Sequence, residues 1–390
     1  MFNIVLRKFI QFEASASIIL MLAAILALLT ANSRFYSIYE TILRTPFSLP
    51  FSTFSVSKPL LFWINDCLMV IFFFLIGLEI KREYIIGHLS APSQRILPAL
   101  ATLGGIIVPA LIFTLFNYDN SINMKGWAIP TATDIAFALG ALMLIKDIPK
   151  SLRAFLLTVA VLDDLGAVLI IALFYAKNLS VISLLAATFI LMTMIILNRL
   201  KIKKISIYII LSLILLGFVL QSGVHATIAG VLAAFTIPLD KNKTDGENSL
   251  VIIEKALHPW VAFGVLPIFA FANSGIPFRN FTFPHLIEPL SIGIIMGLFL
   301  GKQLGVFIGT WVPVKLKWGR LPSNISWSQL YGISILCGIG YTMSLFIGTL
   351  AFEEGNPEYD YRIKLAILIA SLCSFIYGFL ILKFSKKIKR

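Results

Sequence analysis

Charged residues are scarce in this sequence. Only 13% of its 390 residues are Asp, Glu, Lys or Arg, whereas soluble domains average about 25%. Hydrophobic residues, by contrast, make up 58% of the chain. This balance excludes an ordinary soluble domain and predicts an all-α polytopic membrane protein.

Metal-binding and nucleotide-binding signatures are also missing. The four histidines have no metal-ligand spacing, and the sequence contains neither an HExxH motif nor a Walker loop. Zinc proteolysis and ATP-driven transport therefore lack support, and we predict neither an enzyme nor a bound cofactor. The three cysteines, Cys67, Cys337 and Cys373, all lie in apolar runs, so we predict small buried hydrophobic residues and no disulfide.

Long apolar runs are what the chain has in place of charge. Hydropathy predicts a single transmembrane domain over residues 1–390 with twelve helical spans. They lie near residues 10–31, 59–81, 96–117, 122–145, 151–176, 180–198, 204–221, 223–238, 250–273, 289–313, 327–351 and 361–384.

The positive charge of the chain is unevenly distributed. Between these spans, 22 of the 32 Lys and Arg residues fall on one side and 8 on the other. Because cytoplasmic loops collect Lys and Arg, we expect both termini in the cytoplasm of a multi-pass protein in the lipid bilayer. The net charge of +13 is then a topology signal, and nucleic-acid binding is not expected.

Two adjacent carboxylates, Asp163 and Asp164, lie in the middle of the span 151–176. Each costs roughly 2.5–3.5 kcal/mol at the centre of a bilayer, so such acids usually form proton relays or cation sites. The alternative is a structural pair that a nearby cation neutralises. Lys302, also near the middle of a span, needs an anionic partner, and Asp163, Asp164 and Asp134 are available. Asp163 and Asp164 point about 100° apart on a helix, so one acid is free to take an ion while the other pairs with Lys302.

Two spans are interrupted by helix-breaking residues. Pro130 disfavours helix in the span 122–145, where Thr131, Thr133 and Asp134 follow it. Gly338 and Gly340 weaken the span 327–351 in the same way. Each is the middle member of a three-span group, 96–176 or 289–384, which is the inverted-repeat pattern of secondary transporters. Two kinked packing helices are the alternative.

Other polar residues lie near span ends. Residues 45–58 alternate apolar and small polar residues, which predicts a β-hairpin, either as a dimer contact or as a plain external loop. Glu79 and Glu83 share a helix face, and Asp66 opens the same span. His225 fits a packing or capping role.

The chain resembles the NhaA family of sodium/proton antiporters over nearly its whole length. The motifs that carry the resemblance are Gly77-Leu-Glu-Ile-Lys-Arg-Glu83, Pro130-Thr-Ala-Thr-Asp-Ile-Ala136, Val161-Leu-Asp-Asp-Leu-Gly-Ala167, Ser222-Gly-Val-His-Ala-Thr227, Leu257-His-Pro-Trp260, Phe269-Ala-Phe-Ala-Asn273, Gly301-Lys-Gln-Leu-Gly305 and Gly338-Ile-Gly-Tyr-Thr-Met-Ser344. The sequence departs from the family pattern at one place. The apolar residues Val251, Ile252 and Ile253 precede Glu254, where better-known members carry basic residues.

This resemblance implies twelve spans with crossed, broken fourth and eleventh helices, and a homodimer joined through the hairpin 45–58. It implies electrogenic, pH-regulated exchange of cytoplasmic Na⁺ or Li⁺ for more than one external H⁺ across a bacterial inner membrane. Asp164 is then the main cation ligand, Asp163 assists it and pairs with Lys302, and Thr133 supplies an oxygen. Asp134 and Lys302 offset the helix-end dipoles. The positions tied to pH response or to the cytoplasmic funnel are Asp66, Glu79, Glu83, His225 and Glu254.

The chemistry of such a site is competitive. Burial disfavours the charged form of a carboxylate, and a carboxylate cannot hold a proton and a sodium ion on the same charge. A sodium-coupled solute symporter is the main alternative, since it shares the broken-helix logic. An intramembrane aspartyl protease fits poorly, because such enzymes place their two acids on different helices, whereas Asp163 and Asp164 are adjacent. A channel fits poorly with a buried acid that pairs with a lysine. Whether Lys302 releases a transported proton or remains a counter-charge to Asp163 stays open.

Overall fold

The computed structural model describes residues 13–51, 54–87, 89–90, 92–145, 148–176, 179–240, 248–280, 282–319, 321, 325–352 and 357–385. A short helix, Tyr36–Arg44, and the β-hairpin follow the first apolar helix. The other main helices, three of them with an internal π turn, are Glu13–Ala31, Leu60–Ile85, Pro92–Asn117, Ile135–Met143, Lys150–Phe174, Val181–Arg199, Ile205–Ser222, Ala226–Thr236, Ser249–Asn273, Pro289–Lys315, Trp327–Leu336, Tyr341–Ala351 and Pro357–Phe384.

These helices account for all twelve predicted spans. Within the described residues, nine helical segments are long and apolar enough to cross a membrane. Two further candidates are bent pairs: Ser15–Ala31 with Tyr36–Arg44 at 112°, and Trp327–Leu336 with Tyr341–Ala351 at 42°. The shorter apolar helix Ala226–Thr236 corresponds to the predicted span 223–238. The prediction of an all-α polytopic fold is confirmed, although the first twelve and last five residues lie outside the described part.

The predicted hairpin is also confirmed. Strand β1 (Pro46–Phe51) pairs antiparallel with strand β2 (Phe54–Pro59), in a register that places Phe47 opposite Lys58 and Phe51 opposite Phe54. The two residues of its tip, 52 and 53, lie outside the described residues. The sheet consists of these two strands alone, so each has an edge without a β partner in the described chain.

The chain divides into two compact units. The first unit comprises Met1–Ile18, Ile86–Ala167 and Asn280–Arg390, and the second comprises Ile19–Ile85 and Val168–Arg279. In the first, fully buried side chains such as Leu152, Leu156 and Leu336 form the core. In the second, the core contains Leu78, Tyr208 and Leu250.

A row of glycines joins two long helices of the first unit. Gly297, Gly301, Gly305 and Gly309 recur every four residues along the helix Pro289–Lys315, so they share one face. A Cβ atom on Gly301 would lie 2.7 Å from the Cα of Pro109, and one on Gly305 would overlap the carbonyl of Gly104. Small residues of this kind let membrane helices approach to backbone contact. This close packing fixes the position of the helix that carries Lys302.

The expectation for the cysteines is wrong at one position. Cys337 is buried and Cys67 is half-buried, but Cys373 is exposed, and all three are free thiols. Cys373 lies on the long apolar helix Pro357–Phe384. The reason is geometric: an apolar run that faces lipid exposes one side, so hydropathy does not determine which residues are buried inside the protein.

Candidate functional site

The first interruption lies slightly after the position that Pro130 suggests. Pro130 is tolerated at the start of a 3₁₀ turn, Ile129–Thr131, where its missing N–H costs little. The backbone then becomes extended at Ala132, with ψ of 148°, and Asp134, with ψ of 104°, before a new helix starts at Ile135. The break therefore consists of residues 132–134, and it exposes backbone polar groups that need partners.

The second interruption supplies these partners. The helix Trp327–Leu336 ends at Cys337, and a new helix starts at Tyr341. The hydroxyl of Thr133 donates to the Cys337 carbonyl at 2.8 Å, and the Asp134 amide donates to the Ile339 carbonyl at 2.6 Å. These bonds satisfy carbonyls that a helix end leaves open. These two hydrogen bonds thus join the two breaks directly within the first unit, which is consistent with the predicted crossing of broken helices.

Asp134 caps two helices at once. Its Oδ1 accepts from the Phe137 amide, 3.0 Å away in the first turn of Ile135–Met143. Its Oδ2 accepts from the Thr342 amide at 2.9 Å, and from the Thr342 hydroxyl, in the first turn of Tyr341–Ala351. The N-terminus of a helix carries a partial positive charge, which a carboxylate offsets. One buried carboxyl group therefore accepts hydrogen bonds from the first turns of two helices.

Lys302 and Asp163 form a buried ion pair. Nζ of Lys302 lies 2.6 Å from Oδ2 of Asp163, and only 1% of each side chain is exposed. A π turn, Gly297–Gly301, directly precedes Lys302. Such turns are frequent at functional sites, because the extra residue redirects the side chains that follow. Because both charges are removed from water, each depends on the other as its counter-charge, and losing one partner would leave the other charge buried and uncompensated.

Asp164 and Thr133 lie next to this pair. Asp164 follows Asp163 on the helix Lys150–Phe174 and is 1% exposed. Thr133 is equally buried and lies close enough to Asp163 for its hydroxyl and its backbone to interact with that carboxylate. The first unit therefore brings Asp163, Lys302 and Thr133 together, with Asp164 as the neighbouring acid.

The three predicted glutamates lie in the second unit, and an arginine joins two of them. Nε of Arg82 lies 2.9 Å from Oε2 of Glu254, and its Nη1 lies 3.1 Å from Oε1 of Glu83. Glu79, one helical turn before Glu83, is half-buried and interacts electrostatically with these three residues. The result is a network of three carboxyl groups around the guanidinium group of Arg82.

His225 and Asp66 are neighbours in the same unit. Nε2 of His225 lies 3.6 Å from Oδ1 of Asp66, and its Nδ1 lies 2.8 Å from the Thr227 hydroxyl. His225 is also the N-cap of the helix Ala226–Thr236, since its side chain accepts from the Thr227 amide. This geometry supports the capping role considered from the sequence. It places both residues at the start of a short helix, away from the glutamate end of Leu60–Ile85.

Comparisons with known proteins are unambiguous about the family. Residues 7–382 match the family model described as Na⁺/H⁺ antiporter 1. The chain belongs to this family. It is 50% identical over 373 residues to Na⁺/H⁺ antiporter NhaA 1 of Pseudomonas putida, which covers 95% of this chain and 94% of the relative.

Other members of the Na⁺/H⁺ antiporter 1 family are equally similar along their full length. The Na⁺/H⁺ antiporter NhaA of Campylobacter concisus is 49% identical over 98% of this chain and 93% of its own. The Na⁺/H⁺ antiporter NhaA 1 of Syntrophotalea carbinolica is 48% identical over 97% of this chain and 96% of its own. All three relatives are named as transporters.

Sequence reasoning missed three residues that organise the site in this antiporter. Thr342 links Asp134 to the second broken helix, and Arg82 links the glutamates. Lys81 donates from Nζ to the carbonyls of Phe235 and Ile237, both at 2.6 Å, and so caps the end of Ala226–Thr236. Only Thr342 left a signal in the sequence, as a hydroxyl residue two positions after Gly340. The other two contacts join segments more than 150 residues apart.

Proposed function

We propose that this protein is a secondary antiporter that exchanges cytoplasmic Na⁺ or Li⁺ for external H⁺ across the bacterial inner membrane. Its membership of a Na⁺/H⁺ antiporter family supports the exchange itself. The observation that carries the proposal is the buried Lys302–Asp163 pair beside Asp164, in the unit where two broken helices meet. Such a site offers one acid held by a lysine and a second acid for the transported cation.

In this proposal Asp164 is the main cation ligand and Asp163 assists it. Na⁺ is a hard cation that prefers oxygen ligands, which carboxylates and the hydroxyl of Thr133 provide. A proton competes for the same carboxylate charge, so an alkaline cytoplasm favours sodium entry and external protons displace the ion. The charge of Asp134, and that of Lys302 while it is protonated, compensate the helix ends, so the broken backbone stays stable while the ion and the proton exchange. Lys302 either remains the counter-charge of Asp163 throughout or releases one of the transported protons.

We assign the regulation of exchange by pH, and the entry of ions, to groups of the second unit. Glu79, Glu83 and Glu254 form the candidate cytoplasmic network around Arg82, and Asp66 and His225 form a second candidate pair. Three carboxylates around one arginine interact electrostatically, so a change of charge on one affects the others, which suits a response to pH. We further propose that residues 96–176 and 289–384 are inverted repeats. Each contains an interrupted middle helix.

Topology and assembly complete the proposal. The loop charges of the sequence favour cytoplasmic termini, although residues 1–12 and 386–390 lie outside the described residues. The hairpin supports a homodimer because Phe47 is 51% exposed on a two-stranded sheet with open edges.

The decisive experiment uses everted membrane vesicles that contain the protein and a pH-sensitive dye. Addition of NaCl or LiCl should collapse a preformed pH gradient, with a rate that rises with pH, whereas choline chloride should not. Electrogenic exchange should also respond to a membrane potential set by potassium and valinomycin. If neither Na⁺ nor Li⁺ affects the gradient at any pH, the proposal is wrong. Sodium-driven uptake of an organic solute would favour the symporter instead.

A further inference from the structure

Two asparagines in the second unit form a buried pair that the proposed transport chemistry does not use. Asn65 lies in the π turn Ile64–Leu68, and Asn273 ends the helix Ser249–Asn273. Asn65 is 3% exposed and Asn273 is fully buried. Nδ2 of Asn273 donates to Oδ1 of Asn65 at 2.7 Å and to the carbonyl of Phe269 at 2.9 Å.

These bonds fix the orientation of both amides. Nδ2 of Asn273 faces two oxygens, so exchanging its nitrogen and oxygen would bring acceptor against acceptor. Asn65 must then present its oxygen to Asn273. The arrangement leaves Nδ2 of Asn65 as a donor and Oδ1 of Asn273 as an acceptor.

Within the described residues, nothing hydrogen-bonds to Nδ2 of Asn65, to Oδ1 of Asn273 or to the hydroxyl of Ser274, the next residue in the chain. Ser274 is 1% exposed. Buried polar groups in folded proteins are almost always paired with protein or with water. Three open polar atoms on adjoining residues are therefore a strong exception.

A second buried asparagine pair, in the first unit, shows the contrast. Nδ2 of Asn117 donates to the carbonyls of Phe113 and Pro289, both at 3.0 Å. Its Oδ1 accepts from Nδ2 of Asn123 at 3.0 Å. The protein alone satisfies the Asn117 amide, so the open atoms beside Asn273 are not a general property of buried asparagines in this chain.

We propose that Asn65, Asn273 and Ser274 form a binding site for ordered water. The open set contains a donor, an acceptor and a hydroxyl that serves as either. Water matches this set of groups, because a water molecule both donates and accepts hydrogen bonds. A bare cation is repelled by the Asn65 amide hydrogens, and an anion by the Asn273 oxygen.

The proposed water site lies beside the π turn that also carries Asp66. Asn65 directly precedes Asp66, and both belong to the π turn Ile64–Leu68. Bound water would hold this turn against the end of the helix Ser249–Asn273 through hydrogen bonds instead of apolar packing. The proposal does not depend on the transported ion.

A direct test is a structure of the full chain in lipid nanodiscs, at a resolution that shows ordered water elsewhere in the protein interior. We expect density within hydrogen-bonding distance of Nδ2 of Asn65 and Oδ1 of Asn273, and none beside the Asn117 amide. A map that resolves other buried waters but shows none at Asn65 and Asn273 would overturn the proposal.

X-ray hydroxyl-radical footprinting provides a second test, because radiolysis of a bound water labels side chains next to it even when they are buried. Phe269 and Phe113 are both fully buried, and the carbonyl of each accepts from one asparagine amide. We expect rapid labelling at Phe269 and little at Phe113 in the wild-type protein. Asn65→Leu or Asn273→Leu should remove the Phe269 label, whereas Asn117→Leu should leave it. Equal slow labelling of the two phenylalanines in the wild type would contradict the proposal.

Discussion

Lys302 and Asp163 in the first unit face each other with 1% of each side chain exposed, whereas Arg82 in the second unit meets Glu254 with 33% and 12% exposed. Breaking a fully buried ion pair by removing one partner costs about 3–5 kcal/mol, because a charge stays behind without water. Exposed pairs are worth about 0–1 kcal/mol. The pair in the first unit is therefore sealed from water, whereas the network in the second unit is partly hydrated, mainly at Arg82. The first arrangement suits a site where ions replace one another, and the second suits a sensor of pH.

The largest expected effect comes from the acid next to the buried pair. Asp164→Asn should abolish sodium-dependent collapse of the pH gradient in everted vesicles, because the amide has no charge for cation and proton to share. Asp360→Asn provides the control, since Asp360 is 54% exposed and pairs with Lys364 one turn away. Sodium-dependent exchange near the wild-type rate in Asp164→Asn would remove Asp164 from the site.

Removing the lysine tests how strongly the first unit depends on its pair. Lys302→Ala should lower the free energy of unfolding by about 3–5 kcal/mol, because Asp163 is left as a buried charge. The double variant Asp163→Asn/Lys302→Met should recover most of this loss. Chemical unfolding in detergent measures both.

The matched control for the lysine is an exposed pair. Arg44→Ala breaks the pair with Glu40, whose partners are 68% and 36% exposed, and should cost about 0–1 kcal/mol. If Lys302→Ala lowers the free energy of unfolding no more than Arg44→Ala does, Lys302 is not required to compensate a buried charge on Asp163.

Glycine substitutions compare the packing of the two units. Gly305→Ala places a Cβ against the Gly104 carbonyl, so we expect a loss of about 1–3 kcal/mol from overpacking. Gly217→Ala in the second unit meets nothing within 4 Å and should stabilise its helix by about 0.5–1 kcal/mol. Thermal unfolding of both variants shows whether each substitution raises or lowers the stability of the protein. Similar behaviour of the two alanines would show that the glycine row is not a close contact.

The smallest change in stability is expected in the glutamate network. Glu254→Gln should alter the free energy of unfolding by about 1 kcal/mol or less, because Arg82 keeps Glu83 and is partly hydrated. The pH profile of exchange should nevertheless move toward lower pH, because the carboxylates that remain lose the repulsion of the Glu254 charge. Glu40→Gln, on the exposed helix Tyr36–Arg44, should leave the profile in place. A profile unchanged in Glu254→Gln would exclude Glu254 from the pH response.

Much of the fold was predictable because the relevant signals are local. Apolar runs identify the spans, and Pro130, Gly338 and Gly340 identify the two breaks, since each residue weakens helix wherever it occurs. The pairing of Lys302 was predictable in kind, because a buried lysine needs an anion. The residues alone left three aspartates as possible partners; the family resemblance implied Asp163, and the packing of the helices brings that residue to Lys302. The glycine row was visible in the sequence as a four-residue repeat, but its partner helix was not.

The order of the residues is enough to establish a bundle of membrane helices with two broken spans and an acid pair deep within one span. These properties depend on residues close together in the chain, through hydropathy, helix geometry and backbone propensity. The packing of distant segments establishes that Asp134 caps two helices, that Arg82 binds Glu254 and that Asn65 contacts Asn273. Each of these contacts joins residues more than 150 positions apart, and their geometry depends on how whole helices pack, which no local pattern encodes.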